Sequence, residues 1–293
     1  MHNIGKHDLL SSILEFMFAA MDAPIGIFDS GYGGLTVMKE IVKRLPDYDY
    51  LYLGDNARAP YGPRSFDTVY RYTLECVKWF FSQHCPLVIL ACNTASAKAL
   101  RTIQQNDLPL MGSEKRVLGV IRPTTETIGE HTSTGHIGIL ATAGTVTSGS
   151  YLIEIDKFFP GIKVSQEACP IWVPLIENNE QDSEGASFFI RRHVKNLMAK
   201  DPDIDAILLA CTHYPLIQQQ IKDLLPPSVS VLSQGEIVAG KLVDYLERHQ
   251  AIETMISRNG GRRFYTTDST EDFDKHASQF YGTSLQSSHL STL

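Results

Sequence analysis

Short apolar runs recur along most of the chain. Each leads into a few glycine, threonine, serine or aspartate positions and then into a stretch with helical spacing of its apolar residues. An unbroken run of four to six apolar residues reads as a strand buried on both faces, and apolar positions three and four apart read as a helix covering it. The pattern predicts strands at 24–29, 49–54, 87–91, 117–121, 136–141, 162–166, 205–210, 229–232 and 262–267. It predicts helices at 35–45, 66–83, 95–105, 124–130, 146–159, 183–200, 214–225, 236–248 and 270–281. Ser65 stands where it can cap the helix 66–83. Pro123 is expected to stop the fourth strand, 169–177 to form an apolar loop or short element, and the polar tail after Gly282 to be loose. Strands alternating with helices imply mainly parallel sheets flanked by helices, an α/β fold.

The pattern also restarts. Ile25-Gly26-Ile27 is echoed by Ile137-Gly138-Ile139. The phrase Ala91-Cys92-Asn93-Thr94, which follows an apolar run, is echoed by Ala210-Cys211-Thr212-His213 at nearly the same spacing. Two matches at one repeat length imply two related, pseudo-symmetric α/β lobes. Ligands of open α/β sheets sit beyond the carboxyl ends of the strands. A cleft between two such ends would be lined by Cys92, Cys211, the Asp29–Ser30 turn and the 142–145 turn.

Composition narrows the class. The chain has 293 residues, 43% hydrophobic and 20% charged, with a formal net charge of −7. That is enough for two ordinary domains with sizeable cores. No basic run favours a nucleic-acid partner. No apolar stretch reaches the roughly 20 residues of a membrane span. Residues 9–21 are the most apolar of the amino-terminal part but include Glu15. They read as an extension rather than a secretory signal, and Met21 could serve as an alternative start. The five cysteines are sparse and odd in number, which argues against a disulfide framework and for a reducing cytoplasm. No cysteine or histidine spacing suggests zinc, and no metal is expected.

The thiols carry the candidate chemistry. Cys76 and Cys85, on and beside the helix 66–83, read as core packing. Cys92 and Cys211 each end a buried strand, each meet a helix start whose amides favour an anion, and each are followed by polar residues, so thiolate character is expected there. Three chemistries compete for paired thiols: a redox disulfide, which leaves no room for a substrate; a metal site, for which further ligands are missing; and proton transfer on opposite faces of one carbon, which inverts a stereocentre. His213, next to Cys211, can share its proton. Asp29 could meet a substrate ammonium or assist Cys92, or simply serve the turn. The turn 30–34 lacks both the lysine of a P-loop and the G-x-G-x-x-G spacing, and its amides suit a carboxylate. Asn93, Thr94, Thr142, Thr145 and Thr212 are neutral donors that could hold carboxylates, though each singly also fits a helix cap. Tyr61 and Gly62 lie on a polar loop (55–65) that could close over the site.

The phrases FDSGYGGLTV (28–37), GDNARAPYGPRS (54–65), ACNTASAKAL (91–100), GVIRP (119–123), GILATAGTVTSGSY (138–151) and ACTHYPLI (210–217) closely resemble glutamate racemases, in family order over about residues 24–270. Aspartate racemases share the two-cysteine plan with different phrases. The resemblance implies a cofactor-independent isomerase that interconverts L- and D-glutamate and supplies D-glutamate for peptidoglycan, with no cofactor, as a cytoplasmic homodimer. Racemisation of aspartate or another acidic amino acid is the alternative, followed by a non-catalytic binding protein of the same fold. The resemblance places the catalytic cysteines at Cys92, acting on D-glutamate, and Cys211, acting on L-glutamate. It gives Asp29, His213 and Glu177 assisting roles. It assigns substrate contacts to Asp29, Ser30, Pro60, Tyr61, Gly62, Asn93, Thr94, Thr142, Thr145, Thr212 and His213. It also implies a discontinuous first lobe: 22–115 with 229–293, against a second lobe of 116–228 and an extension of 1–21.

Overall fold

The structure, a computed structural model, describes residues 22–291, so the expected extension and Met21 lie outside the described residues. The strands are β1 (Ile25–Asp29), β2 (Tyr50–Gly54), β3 (Leu87–Leu90), β4 (Arg116–Gly119), β5 (His136–Ala141), β6 (Lys163–Ala168), β7 (Ala206–Ala210), β8 (Ser230–Leu232), β9 (Arg262–Thr266) and β10 (Ser287–His289). They form a six-stranded sheet, β10-β9-β2-β1-β3-β4, and a four-stranded sheet, β6-β5-β7-β8. Every strand pair is parallel. This is the two-sheet α/β fold the alternation predicts.

The internal echo has a structural counterpart. The order β2-β1-β3-β4 in the first sheet repeats as β6-β5-β7-β8 in the second. Each half starts on a strand that its neighbours later flank on both sides, which creates a crevice at the carboxyl ends of β1 and β3 and another at those of β5 and β7. The echoed glycines have one packing role. A Cβ on Gly26 would lie 2.6 Å from the Phe80 ring, and one on Gly138 would lie 2.8 Å from Leu197. In each half the bare strand position lets a covering helix seat a large side chain.

Buried strands run apolar on both faces because helices cover both. Along β1, Ile25 and Ile27 pack into one core cluster and Phe28 into another with Leu51, Leu53, Val88 and Leu90. Along β7, Ile207 and Leu209 join the first cluster, whereas Ala206, Leu208 and Ala210 face a third. The first cluster holds residues from both sheets and from the helices Leu35–Arg44, Gly235–Arg248 and Thr270–Tyr281, so the halves share an apolar core. Among the described residues, no helix is long and apolar enough to cross a membrane.

Several expectations need correction. The strand β4 pairs with β3, and β8 pairs with β7. The proposed cuts at 115/116 and 228/229 therefore each fall one strand early. The chain leaves the first sheet after Gly119 and returns after Leu232. Pro123 does not end a strand: it lies in the first turn of the helix Ile121–Thr125, where its missing N–H has no role to lose. The expected helix 95–105 begins earlier, at Asn93. The expected helix 146–159 is two helices, Ala143–Ser148 and Ser150–Phe158, divided at Gly149 in the left-handed region. Of 169–177, Trp172–Glu177 is helical. In place of a continuous helix 214–225 there is a tight 3-10 turn, Tyr214–Ile217, followed by Gln218–Lys222. The tail is not loose throughout, because Ser287–His289 adds a parallel strand to β9.

Ser65 does cap its helix, Phe66–Ser82, by accepting the Thr68 N–H at 3.2 Å. Ser65→Ala is expected to lower the unfolding free energy by about 1 kcal/mol. Urea denaturation measures it, and an unchanged midpoint would show that the cap contributes nothing.

Candidate active site

The first crevice is built from the exits of β1 and β3. Asp29 ends β1 and is buried. Its Oδ1 accepts the Gly31 N–H at 2.9 Å and its Oδ2 accepts the Thr212 hydroxyl at 3.4 Å. Burial raises its pKa to about 6, against the opposing pull of His213 and the Gly31 and Gly34 amides. Cys92 follows β3 and caps the short helix Asn93–Lys98, its sulfur 3.5 Å from the Ala95 N–H and 3.5 Å from Ser30 Oγ. Those two groups favour the thiolate, as the helix start suggests. Burial, followed by the charge of Asp29, outweighs them and pushes the thiol up to about 12. The expectation of thiolate character at Cys92 is corrected here: enclosed in the protein it rests as a thiol.

The second crevice is built from the exits of β5 and β7. Cys211 follows β7, and its sulfur lies 3.9 Å from His213 Nδ1. On its other side, His213 Nε2 is 2.8 Å from Glu177 Oε1, at the end of the helix Trp172–Glu177. Burial alone would depress the imidazole. The hydrogen bonds and charges of Cys211 and Glu177 prevail and raise it to about 10, so it carries its proton at neutral pH. The Phe280 ring packs edge-on to it at 5.2 Å.

The two crevices meet. A Cβ on Gly33 would lie 2.3 Å from Thr212 Oγ1 and 2.4 Å from His213 Nδ1, so the glycine turn sits directly against the Cys211 turn. The Thr36 hydroxyl, which also lies 2.9 Å from the Gly33 carbonyl, donates to the Thr212 carbonyl at 2.9 Å. The Cys211 charge adds to the upward shift of Cys92, which places the two thiols in one electrostatic site. On the far side of the seam, Thr94 and Thr142 hydroxyls are 3.0 Å apart, and Thr142 continues to Thr145 at 3.1 Å. A Cβ on Gly144 would meet the Gly62 carbonyl at 2.5 Å, so the 55–65 loop reaches the second half.

Asp29, Ser30, Cys92, Asn93, Thr94, Thr142, Thr145, Glu177, Cys211, Thr212 and His213 thus gather at the seam. Two expected contacts look different. Tyr61 is turned into the first core, its hydroxyl on Asp55 and its ring against Phe28 and Tyr72, and it is the neighbouring Gly62 that lies against Thr142 of the second half. Pro60 is exposed. The sequence reading missed Lys98, whose ammonium donates to the Arg64 carbonyl at 2.5 Å, and it missed Gln234 and Tyr151, which bond the Asn93 amide. Gln234 immediately precedes a helix and Tyr151 lies within one, so neither carried a signal beyond its own element.

The sequence profile described as Asp/Glu/Hydantoin racemase matches residues 25–242. The chain is 41% identical over 266 residues to the glutamate racemase of Roseobacter denitrificans, covering 87% of this chain and 96% of that protein. It is 36% identical over 262 residues to that of Geobacter metallireducens, covering 89% and 93%. Among solved structures, a glutamate racemase isoform from Bacillus anthracis superposes with a TM-score of 0.83 at 33% identity, covering 92% of this chain and 98% of the other. The Francisella tularensis glutamate racemase in complex with D-glutamate gives 0.81 at 30% identity, with the same coverage.

Gly33→Ala is expected to force the two turns apart and destabilise the fold by about 1–3 kcal/mol, readable by chemical denaturation; wild-type stability would mean that the turns do not abut. His213 binds its proton more tightly folded than unfolded, so its contribution is complete below about pH 6.5 and is lost as the pH rises through about 10. Wild-type melting temperature should therefore fall more steeply than that of His213→Gln across this window. Parallel curves would contradict a charged His213.

Proposed function

The chain belongs to the Asp/Glu/hydantoin racemase family, and on that premise we propose that it interconverts L- and D-glutamate by passing the α-proton between Cys92 and Cys211. The observation that carries this reading is the repeated placement of the cysteines. Each follows the third strand of its half, each sits at the crevice between that strand and the first, and each has its own proton partner. A single base returns a proton to the face it came from. Inversion at one carbon calls for a second group on the other face, and paired thiols from two abutting crevices supply one.

The surroundings fit a two-way transfer. In the L-to-D direction, the Cys211 thiolate takes the α-proton and the Cys92 thiol returns one to the opposite face. The pair ends with the proton on Cys211 and the charge on Cys92. In the reverse direction the Cys92 thiolate takes the α-proton of D-glutamate and the Cys211 thiol returns one to the opposite face. Where Cys92 starts as the thiol, Asp29, whose pKa near 6 suits a transient acceptor, first takes its proton, and the His213 imidazolium, backed by Glu177, supplies the proton that Cys211 returns. Hydroxyls of Thr94, Thr142, Thr145 and Thr212, the Asn93 amide, Ser30 and the backbone at Tyr61–Gly62 offer donors for two carboxylates. No lysine or arginine is needed to hold them, so the substrate's charge is met by dipoles whose orientation the fold fixes. In this reading the product, D-glutamate, serves peptidoglycan assembly in the cytoplasm, and the enzyme acts as a homodimer.

In deuterium oxide, without added pyridoxal phosphate or metal, the α-proton of either glutamate enantiomer is expected to exchange for deuterium. Cys92→Ala and Cys211→Ala should each lower racemisation by about a hundredfold or more. Proton NMR and circular dichroism read the two effects. Absence of exchange, or strict dependence on a cofactor, would overturn the mechanism, and faster turnover of aspartate than of glutamate would overturn the substrate.

A further inference from the structure

Beside Cys92 lies a buried polar network that the proton-transfer chemistry does not use. It joins four side chains from four regions of the chain. Asn93 begins the helix after Cys92. Thr124 lies on the helix Ile121–Thr125, just past the first crossover between the sheets. Tyr151 lies on the helix Ser150–Phe158. Gln234 stands at the second crossover, before the helix Gly235–Arg248. All four are at most 4% exposed.

The donors and acceptors admit one ordering. The Thr124 hydroxyl donates to the Val120 carbonyl at 2.8 Å, and a carbonyl only accepts, so Thr124 Oγ1 has only acceptor capacity left for Gln234. The atom facing it at 3.0 Å must therefore be the Gln234 amide nitrogen, which also donates to the Tyr151 hydroxyl at 2.7 Å. Gln234 Oε1 is thereby aimed at Asn93 and must receive a donor, the Asn93 Nδ2 at 2.6 Å. Asn93 Oδ1 in turn faces Tyr151, whose hydroxyl donates to it at 2.6 Å. Burial keeps the Tyr151 phenol well above its ordinary pKa, so it remains a donor. One carbonyl of the first crossover thus sets the orientation of the Asn93 amide through two intermediaries. Asn93 Nδ2 carries two hydrogens and the network takes one.

We infer that Gln234 and Tyr151 are positioning residues for the racemase site: they hold the Asn93 amide in one orientation beside Cys92 and leave its second N–H to bind a substrate carboxylate. The orientation follows from the hydrogen bonds alone, while the identity of the carboxylate rests on the glutamate reading proposed above. Because Val120 and Gln234 belong to the two crossovers, the same network ties this donor to the places where the chain passes between the sheets. A donor bound equally to substrate and transition state acts on KM rather than on kcat.

The test uses the full-length enzyme with nitrogen-15 in its asparagine side chains. The Asn93 signal pair is identified by its loss in Asn93→Asp. In the wild type the pair is expected to be sharp and slow to exchange with water, and in Gln234→Leu and Tyr151→Phe to broaden and exchange faster. The same two variants should raise KM for both glutamate enantiomers by about tenfold with kcat changed less than about threefold. In an Asn93→Ala background they should cost nothing further in kcat/KM, because they act only through Asn93. An Asn93 signal unchanged in both variants would overturn the inference, as would equal losses with and without Asn93, which a purely structural role predicts. A wild type with a protected Asn93 amide but no glutamate racemisation would sink the substrate reading alone, and the amide signal would still decide the orientation.

Discussion

The contact between the turn after β1 and the turn after β7 is the constraint on which the site depends. Gly33 has no room for a side chain against Thr212 and His213, and the Thr36 and Thr212 hydroxyls tie the turns across the seam. Each sheet taken separately has only half of the constellation. With the turns abutted, Asp29 from the first half comes under the influence of His213 from the second, and Cys92 under that of Cys211. The second contact zone, where Thr94 meets Thr142 and Gly62 meets Gly144, closes the opposite side.

Enclosure sets the chemistry of the groups held there. An acid removed from water resists ionisation, and a base resists protonation unless a partner supplies the lost solvation. Asp29 and Cys92 are both shifted upward because their nearby amides and hydroxyl offset burial only in part. His213 moves the other way from what burial alone would do, because Cys211 and Glu177 flank it. The two thiols are therefore alike in position and unlike in surroundings: one has a carboxylic acid poised near neutral pH beside it, the other an imidazolium–carboxylate pair. That asymmetry on a pseudo-symmetric scaffold suits the two-way proton transfer proposed above.

Much of this was legible in the residues. The buried strands, the two cysteines at equivalent strand ends and the helix capped by Ser65 all come from local patterns. The strand edges were harder. Arg116–Gly119 and Ser230–Leu232 are short, and nothing within them says which sheet they join; pairing with Leu87–Leu90 and Ala206–Ala210 decides it. Ser287–His289 has a polar composition that reads as loose chain, and it is a strand because β9 offers it an edge. Tyr61, in the same phrase as Gly62, points into the first core, since its hydroxyl finds Asp55 and its ring finds Phe28. Glu177 could be placed only by resemblance, because its partner His213 is remote in sequence.

By itself, then, the sequence determined which elements form, how they repeat and which two thiols end equivalent strands. Periodicity and turn chemistry act between residues a few positions apart, and the chain records them directly. The tertiary structure alone decided the protonation of Cys92, the partners of Asp29 and His213, and the orientation of the Asn93 amide. A pKa or an amide orientation is the sum of burial and of hydrogen bonds from segments distant along the chain. At Asn93 those segments are the two crossovers and the helix bearing Tyr151, which meet only once both sheets have closed on one another.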